Sequence, residues 1–376
     1  MNVLLTSASL LPSYGGPAFS VSRLATSLAD AGVSVGLRAA DQSARSTPLL
    51  GKGTPVERIV GTEWDALCCF DRVDVLHDNG IWLAYNHRLA ILAERRGIPR
   101  IVSTRGMLEP WALAHKRLKK RLAWRLYQQR DLGRARYHHT TAETEARNLS
   151  LLRLGVPIIT VPNGVDVPDE TASDVHQQSE TRAGRPKIAF FLGRVYPIKG
   201  LLTLIQAWAR VRPRNWCLRI AGPDEAGHRK EVERAAAAAG IAESVSFIGE
   251  VAPQMKQSEF SKADLFVLPS YSESFGMAVA EALAHGLPVL TTTGTPWSTL
   301  QQNGCGWWVE PTTDGLAAGL RAATALERDA LRAMGAKGRQ FVRAQFSWRY
   351  AAERLVAAYQ ILTGIGANNF CTRTAS

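Results

Sequence analysis

Short apolar runs alternate with longer segments of helical periodicity along almost the whole chain, and this alternation limits the folds that it can adopt. The runs that predict strands are residues 3–7, 33–39, 73–77, 100–104, 158–161, 187–192, 216–221, 245–248, 265–268 and 288–292. The segments that predict helices include residues 18–31, 86–96, 113–132, 201–211 and 275–285. Strands and helices in alternation form parallel sheets that helices cover on both faces. The chain is therefore predicted to be an α/β protein.

A polar segment bounded by prolines divides the 376 residues into two halves of similar pattern. Residues 169–186 hold almost no large apolar side chain, which is typical of a linker between domains. A chain of this length also exceeds the usual size of one domain. We therefore predict a first domain at 1–168, a linker at 169–186 and a second domain at 187–346. The last segment, 347–376, is predicted to begin with a helix that crosses back onto the first domain.

Composition excludes several other classes of protein. The apolar runs are all shorter than the about 18 residues that a transmembrane helix needs. The apolar start lacks the basic residues of a secretion signal and is better explained as a buried strand. The five cysteines are odd in number and scattered, without a CxxC pair, so they indicate neither a disulfide framework nor a metal site. A reduced, cytoplasmic compartment is the expectation.

The formal net charge of +12 requires an explanation. An excess of lysine and arginine is found in proteins that bind nucleic acid, anionic membranes or phosphate-bearing substrates. Charge alone does not choose among these partners, but the motifs of the second half favour phosphate-bearing substrates over nucleic acid.

The segment from Glu273 to Glu281 has the pattern of a ligand-binding turn between a strand and a helix. It follows an apolar strand and opens a predicted helix, with Ser274 expected as the N-cap residue. Gly276 allows a ligand close to the backbone, and free amides at a helix start favour anionic or hydroxyl-rich ligands. Two carboxylates so spaced can hold different parts of one elongated ligand. The alternative, a pair of solvated surface acids, is weakened by the apolar residues around Glu281.

A second turn, between Gly193 and Gly200, carries an arginine and a lysine. It connects a predicted strand to the helix at 201–211. Arg194 offers a planar fork and Lys199 a point charge, a combination that suits a diphosphate. An ordinary solvated turn remains the alternative when this feature is taken alone.

Together these motifs resemble those of the family-4 glycosyltransferases, which have the GT-B fold. The features that carry the resemblance are the E-x7-E pattern and the G-R-x4-K-G turn described above. Two further segments match in the expected order, namely YGGP at 14–17 and PNGVD at 162–166. The resemblance covers nearly the whole chain. It implies two Rossmann-like parallel α/β domains that face each other across a cleft.

The resemblance also implies an activity, the retaining transfer of a hexose from a UDP- or GDP-sugar to an acceptor. The acceptor would be a glycan or a lipid-linked saccharide of polysaccharide or glycoconjugate biosynthesis, bound by the first domain. The family generally needs no metal ion, and the sequence contains no D-x-D pair. No cofactor is implied beyond the nucleotide-sugar co-substrate.

The same resemblance assigns roles to individual residues. Arg194 and Lys199 would hold the donor diphosphate, and Glu281 would bind the ribose hydroxyls. Glu273 would bind the transferred sugar rather than act as a nucleophile, and it joins Arg194, Lys199 and Arg105 in the predicted catalytic set. The remaining donor contacts are predicted for a glycine loop near the phosphates, a residue near the base and the start of one helix. These residues are Gly15, Gly16, Val251, Phe275, Gly276 and Met277.

One position departs from the family pattern. Many relatives carry a histidine at the end of the strand predicted at 100–104, where this chain has Arg105, with His115 ten residues later. Arg105 is expected to act on the leaving phosphate or on the acceptor, and either Arg105 or His115 would replace the family's histidine. On the acceptor side we also place His77 and Asn79, at the end of another predicted strand.

Residues 115–130 read HKRLKKRLAWRLYQQR and predict a basic amphipathic helix. Leu118, Leu122 and Leu126 recur at intervals of four among seven lysines and arginines. Helices of this kind bind anionic lipid surfaces. This interpretation places the protein at the inner face of a membrane, and the alternative is a packing helix with a solvated basic face.

Three other functions fit parts of the sequence. A nicotinamide-dependent oxidoreductase would need a G-x-G-x-x-G turn, which residues 13–20 do not provide. A sugar-nucleotide epimerase or a phosphorylase of the GT-B fold stays open. A non-catalytic binder of anionic surfaces would explain the net charge, but it would not explain the paired glutamates or the basic turn.

Overall fold

The computed structural model describes residues 1–51, 53–68, 72–168 and 184–364. The chain divides into two compact units, each with its own parallel sheet. The first unit comprises Met1–Gly164 together with Trp348–Ser376, and the second comprises Val165–Ser347. Each unit is a Rossmann-like α/β domain, so the predicted fold class is confirmed.

The first unit is built on seven parallel strands. They are β1 (Asn2–Ser7), β2 (Ser34–Ala39), β3 (Val56–Ile59), β4 (Val75–Asn79), β5 (Arg100–Ser103), β6 (Tyr137–Thr140) and β7 (Ile158–Thr160). Their order in the sheet is β3-β2-β1-β4-β5-β6-β7. The strand order reverses between β1 and β4, and open parallel sheets bind ligands at the carboxyl ends of the strands at such a point.

Helices cover this sheet because most connections between parallel strands require a crossover. They are α1 (Gly16–Asp30), α2 (Glu63–Cys68), α3 (Ala84–Arg95), α4 (Pro110–Ala114), α5 (Arg117–Ala123), α6 (Gln129–Gly133) and α7 (Glu143–Ser150). Helix α1 begins at the predicted glycine loop, with Gly15 as its N-cap residue at a φ of 80°. That conformation is readily adopted only by glycine.

The described residues of the second unit form six parallel strands and six α-helices. The strands are β8 (Lys187–Leu192), β9 (Trp216–Ala221), β10 (Val245–Gly249), β11 (Leu265–Leu268), β12 (Val289–Thr292) and β13 (Gly306–Val309). The helices are α8 (Leu201–Val211), α9 (His228–Ala238), α10 (Pro253–Lys262), α11 (Met277–Ala284), α12 (Thr313–Thr324) and α13 (Arg328–Gln345). The strand order is β10-β9-β8-β11-β12-β13. Buried Phe190, Phe260 and Phe266 pack together in its core, with ring centroids 5.6 to 6.3 Å apart.

The last helix, α14 (Trp348–Thr363), belongs to the first unit, where it packs against α1. The division between the units lies after Gly164, four residues before the predicted end of the first domain at 168. Val165 already bonds within the second unit, because its N–H donates to the Phe346 carbonyl over 2.7 Å. Of the predicted linker, residues 169–183 lie outside the described part of the chain.

Three strands have no counterpart among the predictions, namely β3, β6 and β13. For β6 the reason is its sequence, YHHT, which carries no aliphatic residue. Its His138 and His139 are nevertheless buried, at 1% and 2% exposure. A hydrophobic pattern cannot reveal a strand whose buried side chains are polar.

The helix predicted at 113–132 is interrupted. Helix α4 ends at Ala114, His115 is extended, and Lys116 adopts the left-handed conformation with φ 54°. From Arg117 onward α5 continues through one π-helical turn, Trp124–Gln128, into α6. No described helix in the chain is both long and apolar enough to cross a membrane.

Candidate active site

Two predicted site residues of the second unit meet beyond the ends of neighbouring strands. The Nζ atom of Lys199 lies 2.5 Å from Oε1 of Glu273, and the hydroxyl of Ser270 donates to the same oxygen over 2.7 Å. Lys199 follows β8 and Glu273 follows β11, which are adjacent in the sheet. Both charged side chains are largely shielded from solvent, at 16% and 13% exposure. Doubly wound sheets bind ligands at this kind of edge.

Close backbone contacts bring the two segments together. Gly200 has a φ of 68°, and a Cβ atom at this position would lie 2.1 Å from the carbonyl oxygen of Pro269. The N–H of Tyr271 donates to the Ile198 carbonyl over 2.8 Å. Because only glycine tolerates both the conformation and the approach, Gly200 is required for the Lys199 turn to reach the second segment.

Helix α11 begins beside this pair. It starts at Met277 with Gly276 as its N-cap residue, at a φ of 79°, so the predicted cap at Ser274 is wrong. Phe275 is only 4% exposed and packs against Trp297, whose indole N–H donates to the Phe275 carbonyl over 2.6 Å. The first N–H groups of a helix lack intrahelical acceptors. Phe275 thus belongs to the core through its side chain, and the helix start offers amide donors.

Glu281 is held by a lysine that the sequence analysis missed. The Nζ atom of Lys256, on α10, lies 3.0 and 3.2 Å from the two carboxylate oxygens of Glu281. Both side chains are about one-quarter exposed, at 27% and 25%. Val251, after β10, is half-buried and packs against the core. No spacing in the sequence links Lys256 to Glu281, because their contact depends on how α10 packs beside α11.

Arg194 lies in the same turn as Lys199 but has a different partner. Its Nη1 atom lies 2.6 Å from Oε2 of Glu225, and the two side chains are 49% and 43% exposed. An exposed ion pair of this kind contributes little to stability, because water screens it. The structure therefore brings Lys199 and Glu273 together and leaves Arg194 in a weak pair that a stronger anion can replace.

In the first unit, Arg105 lies just beyond the end of β5. Its Nε and Nη2 atoms donate to Oδ1 of Asn79 over 3.1 and 2.6 Å, and its Nη1 atom donates to Oδ1 of Asn163 over 2.9 Å. Burial lowers the pKa of Arg105 to about 10. The guanidinium therefore stays protonated at neutral pH. Asn163 belongs to the PNGVD segment, whose spacing alone does not predict a contact with Arg105.

His77 is not at the strand end, contrary to the prediction. It is the third residue of β4, has 0% exposure and uses both ring nitrogens. Nδ1 lies 2.6 Å from the Tyr359 hydroxyl, and Nε2 lies 2.7 Å from the Ser103 hydroxyl. Burial, His139 and Arg105 lower the pKa of His77 well below its ordinary value. Both nitrogens of this neutral, buried imidazole are therefore hydrogen-bonded within the protein. Neither is free for the predicted contact with an acceptor substrate.

The other predicted residues of the first unit, Gly15, Gly16 and His115, form no hydrogen bond with Arg105 among the described residues. Gly15 and Gly16 open α1, and a Cβ atom at either would meet nothing within 4 Å. His115 is exposed at the break between α4 and α5. None of the hydrogen bonds among the described residues joins the His115 side chain to Arg105. That Arg105 or His115 takes the place of the family's histidine stays a prediction.

Within the described residues, no group of three histidine, cysteine or acidic side chains could hold a metal ion. That transfer needs no metal ion stays a prediction.

Two family models match the chain, one in each half. Residues 15–164 match the family described as "Glycosyl transferase 4-like domain". Residues 173–341 match the family described as "Glycosyl transferases group 1". The chain belongs to the glycosyltransferases. The resemblance predicted from the motifs is thereby confirmed for both glycosyltransferase domains.

Curated relatives share part of this glycosyltransferase sequence. A D-inositol 3-phosphate glycosyltransferase of Nocardia farcinica is 34% identical over 47% of this chain and 40% of the relative. A GDP-mannose-dependent alpha-(1-6)-phosphatidylinositol monomannoside mannosyltransferase of Mycobacterium tuberculosis is 31% identical over 52% of this chain and 54% of the relative. The chain spans about half the length of the curated relatives it matches.

Solved structures share the fold over nearly all of the chain. Sucrose-phosphate synthase from Thermosynechococcus elongatus has a TM-score of 0.77 at 19% identity and covers 97% of this chain and 99% of its own. Anabaena HepE in complex with UDP and glucose has a TM-score of 0.74 at 18% identity and covers 96% and 100%. At this level of identity the likeness establishes the fold, which is that of the GT-B glycosyltransferases.

Proposed function

We propose that this protein transfers a hexose from a nucleotide diphosphate sugar to a saccharide acceptor. The observation that carries the proposal is the contact of Lys199 with Glu273 beside the start of α11, within the group 1 domain. A cation, a carboxylate and helix-start amides then lie together at one strand edge. These groups match a phosphate, sugar hydroxyls and a developing negative charge, respectively.

The basic turn would stabilise the negative charge of the leaving group. As the bond from the anomeric carbon to the diphosphate oxygen breaks, the bond to the acceptor oxygen forms and the acceptor proton leaves with the phosphate. Lys199 and Arg194 would stabilise the negative charge on the diphosphate, provided that Arg194 exchanges Glu225 for the phosphate. The partly shielded position of Lys199 strengthens this effect, because the local dielectric is low.

The carboxylates would bind hydroxyl groups at the two ends of the donor. Glu273, fixed by Lys199 and Ser270, would accept hydrogen bonds from the transferred sugar. Glu281, fixed by Lys256, would accept from the ribose, with Val251 near the base. Gly276 would let the sugar approach the backbone. The relative named GDP-mannose-dependent and the HepE complex with UDP support a nucleotide-sugar donor and leave both bases open.

A panel of UDP- and GDP-sugars tests the proposal through thermal unfolding and product formation. A sugar nucleotide at about a hundred times its Kd should stabilise the folded protein by about 2.7 kcal/mol. Transfer to a saccharide acceptor with retained anomeric configuration, read from the NMR coupling of the product, is the expected reaction. If none of the nucleotide sugars raises the unfolding temperature, the proposal is wrong. Products formed from the donor in water alone would favour an epimerase, and phosphate-dependent turnover would favour a phosphorylase.

A second part of the proposal concerns the surface of the helix formed by residues 117–133. Leu118, Leu122 and Leu126 are 80%, 61% and 70% exposed, so most of the surface of this row of apolar side chains faces solvent. Arg121 and Arg125, also exposed, form the next row on the same helix. Lys120 faces inward instead, donating to the Ala112 carbonyl.

We propose that this leucine row docks on an anionic membrane surface. Exposed leucines insert into the acyl boundary of a bilayer, while neighbouring arginines pair with anionic headgroups. The position would bring the first domain close to a lipid-linked acceptor. It also agrees with the expected cytoplasmic location, on the inner face of the membrane.

A further inference from the structure

The Arg105 guanidinium uses only some of its N–H groups in hydrogen bonds with described residues. Arginine carries five N–H groups. Three are used, on Asn79 and Asn163. The remaining two lie one on each terminal nitrogen, and the hydrogen bonds within the described residues assign no acceptor to them. Two N–H groups on adjacent nitrogens form the fork that recognises a phosphate or a carboxylate.

No carboxylate neutralises Arg105 by direct contact, since none of the described residues forms an ion pair with it within 4.0 Å. The nearby acid, Glu145, is saturated by neutral donors instead. Its Oε1 accepts from the Thr104 hydroxyl and the Gly106 N–H, each over 2.7 Å. Its Oε2 accepts from the N–H of Thr141 over 2.9 Å. The residues on both sides of Arg105 thus hold Glu145, while the guanidinium keeps its charge available.

A buried chain of neutral groups lies beneath Arg105 in the sheet, and its hydrogen bonds have one direction. Nε2 of His139 must donate to the Val161 carbonyl, 2.9 Å away, so its Nδ1 accepts from the Ser103 hydroxyl at 2.7 Å. Ser103 has no second hydrogen, so Nε2 of His77 donates to it, and Nδ1 of His77 accepts from Tyr359. Burial lowers the pKa of His139 to about 3, which keeps its ring neutral.

The guanidinium and its two asparagine partners each belong to a residue that lies two positions after one of these hydrogen-bonded residues. Asn79 follows His77 on β4, Arg105 follows Ser103, and Asn163 follows Val161. Within β4, where side chains alternate, His77 and Asn79 share a face. Ser103 is the last residue of β5, and Arg105 follows it with a φ of 51°. The neutral layer formed by His77, Ser103, His139 and Tyr359 therefore holds the strand end that precedes Arg105, and it adds no positive charge that would repel the guanidinium.

We infer that Arg105 is an oxyanion-binding residue of the first domain, which takes a phosphate or carboxylate group of one of the two substrates. The inference rests on the proposed function and names the charge of the ligand. The same chemistry has two sources, the diphosphate of the donor and an acidic group on the acceptor. The structure supports binding of an oxyanion, and the experiment shows whether that oxyanion belongs to the donor or to the acceptor.

The test compares the full chain with its Arg105→Gln and Arg105→Lys variants. In the donor case, Arg105→Gln raises the calorimetric Kd for UDP or GDP about tenfold or more, since a charge-assisted hydrogen bond is lost. In the acceptor case that Kd stays within about twofold, and inorganic phosphate stabilises the nucleotide-saturated wild type but not Arg105→Gln. Arg105→Lys keeps the charge but not the fork, so its effect should lie between.

Arg153 provides a matched control, because it is an exposed arginine of the same unit with a φ of 50°, close to the 51° of Arg105. Arg153→Gln should change none of these values. A second measurement covers variants that fail to fold, namely the NMR resonance of the Arg105 Nε–H in the wild type, assigned by its absence in Arg105→Lys. Phosphate or nucleoside diphosphate should shift it.

If neither ligand moves that resonance, and Arg105→Gln folds but binds both ligands like the wild type, Arg105 is not an oxyanion site. This outcome is distinct from a failure of the proposed function. Inorganic phosphate reports on Arg105 locally, whether or not any nucleotide sugar binds.

Discussion

Lys199 and Glu273 are 74 positions apart in sequence, yet Nζ of the lysine lies 2.5 Å from the carboxylate of the glutamate. Strands β8 and β11 are neighbours in the sheet although β9 and β10 separate them along the chain. The contact therefore depends on the topology of the second unit. Variants of this one pair can therefore separate the effect on stability from the effect on activity.

Lys199→Met should lower both stability and transfer. Glu273 would lose its cation while remaining 13% exposed, at a cost of about 1–3 kcal/mol in the free energy of unfolding. Loss of a charge that stabilises the leaving group should lower kcat by about 10²–10³. The double variant Lys199→Met, Glu273→Gln should regain most of the stability in urea denaturation and none of the activity. A double variant as unstable as the single one would show that the two side chains are not energetically coupled.

Glu225→Gln should tighten binding of a nucleoside diphosphate. Arg194 would no longer have to leave a carboxylate, and an exposed pair is worth up to about 1 kcal/mol, so the Kd should fall by up to about fivefold. Calorimetry with UDP and GDP measures the effect. Glu243→Gln removes one exposed negative charge elsewhere in the same unit and serves as the control. Equal shifts in both variants would assign the gain to net charge instead of to Arg194.

Tyr359→Phe should destabilise the first unit. The buried Nδ1 atom of His77 would lose its donor, at a cost of about 1–3 kcal/mol. Tyr350 lies on the same helix, is 37% exposed and accepts a hydrogen bond from Arg354. Tyr350→Phe should therefore change the free energy of unfolding by less than about 0.5 kcal/mol. Equal effects in urea denaturation would contradict the buried hydrogen-bond chain.

Stability should decrease as the pH falls below about 6.5, the ordinary pKa of histidine. Burial lowers the pKa of His77 and His139 in the folded protein, so the unfolded chain takes up protons that the folded one does not. Stability is fully present above the unfolded pKa, and for His139 it declines toward the folded value of about 3. The slope should be about 1.4 kcal/mol per pH unit and histidine. Urea titrations between pH 7 and 5 measure it, and a flat profile would contradict the neutral layer.

Vesicle sedimentation tests the leucine row. The variant Leu118→Ser, Leu122→Ser, Leu126→Ser should lose binding to vesicles of phosphatidylcholine with phosphatidylglycerol, whereas Leu151→Ser, at a leucine 77% exposed elsewhere in the unit, should not. Reversing Arg121 and Arg125 to Glu should weaken binding by more than about tenfold, at roughly 1 kcal/mol for each basic residue. Binding equal to the wild type in both variants would rule out this surface.

The sequence alone was sufficient for the α/β class and for most of the elements, because strands buried in parallel sheets read as continuous apolar runs. It also identified Lys199, Glu273, Glu281 and Arg194 as candidates, since each lies in or after a turn between a strand and a helix. The sequence could not predict which charged side chains form ion pairs with one another. The contact of Lys256 with Glu281 depends on packing that no local pattern encodes.

The errors have a common physical origin. His77 is predicted at a strand end because the apolar run stops at residue 77, whereas β4 continues to Asn79. Burial was possible only because Tyr359 and Ser103 satisfy both ring nitrogens, and Tyr359 lies 282 positions away. Likewise the break at Lys116 escaped prediction, since a lysine with φ 54° carries none of the glycine or proline signals of a helix end.

Helix α14 completes the first unit with residues from the other end of the chain. The ribosome therefore finishes the second unit first, while the earlier segment still lacks the helix that covers it and the hydroxyl that satisfies His77. During synthesis the first unit therefore cannot be completed until α14 has been made, after the whole of the second unit. A nascent chain stalled before Trp348 should accordingly bind chaperones through its amino-terminal half, even where the later domain has already folded.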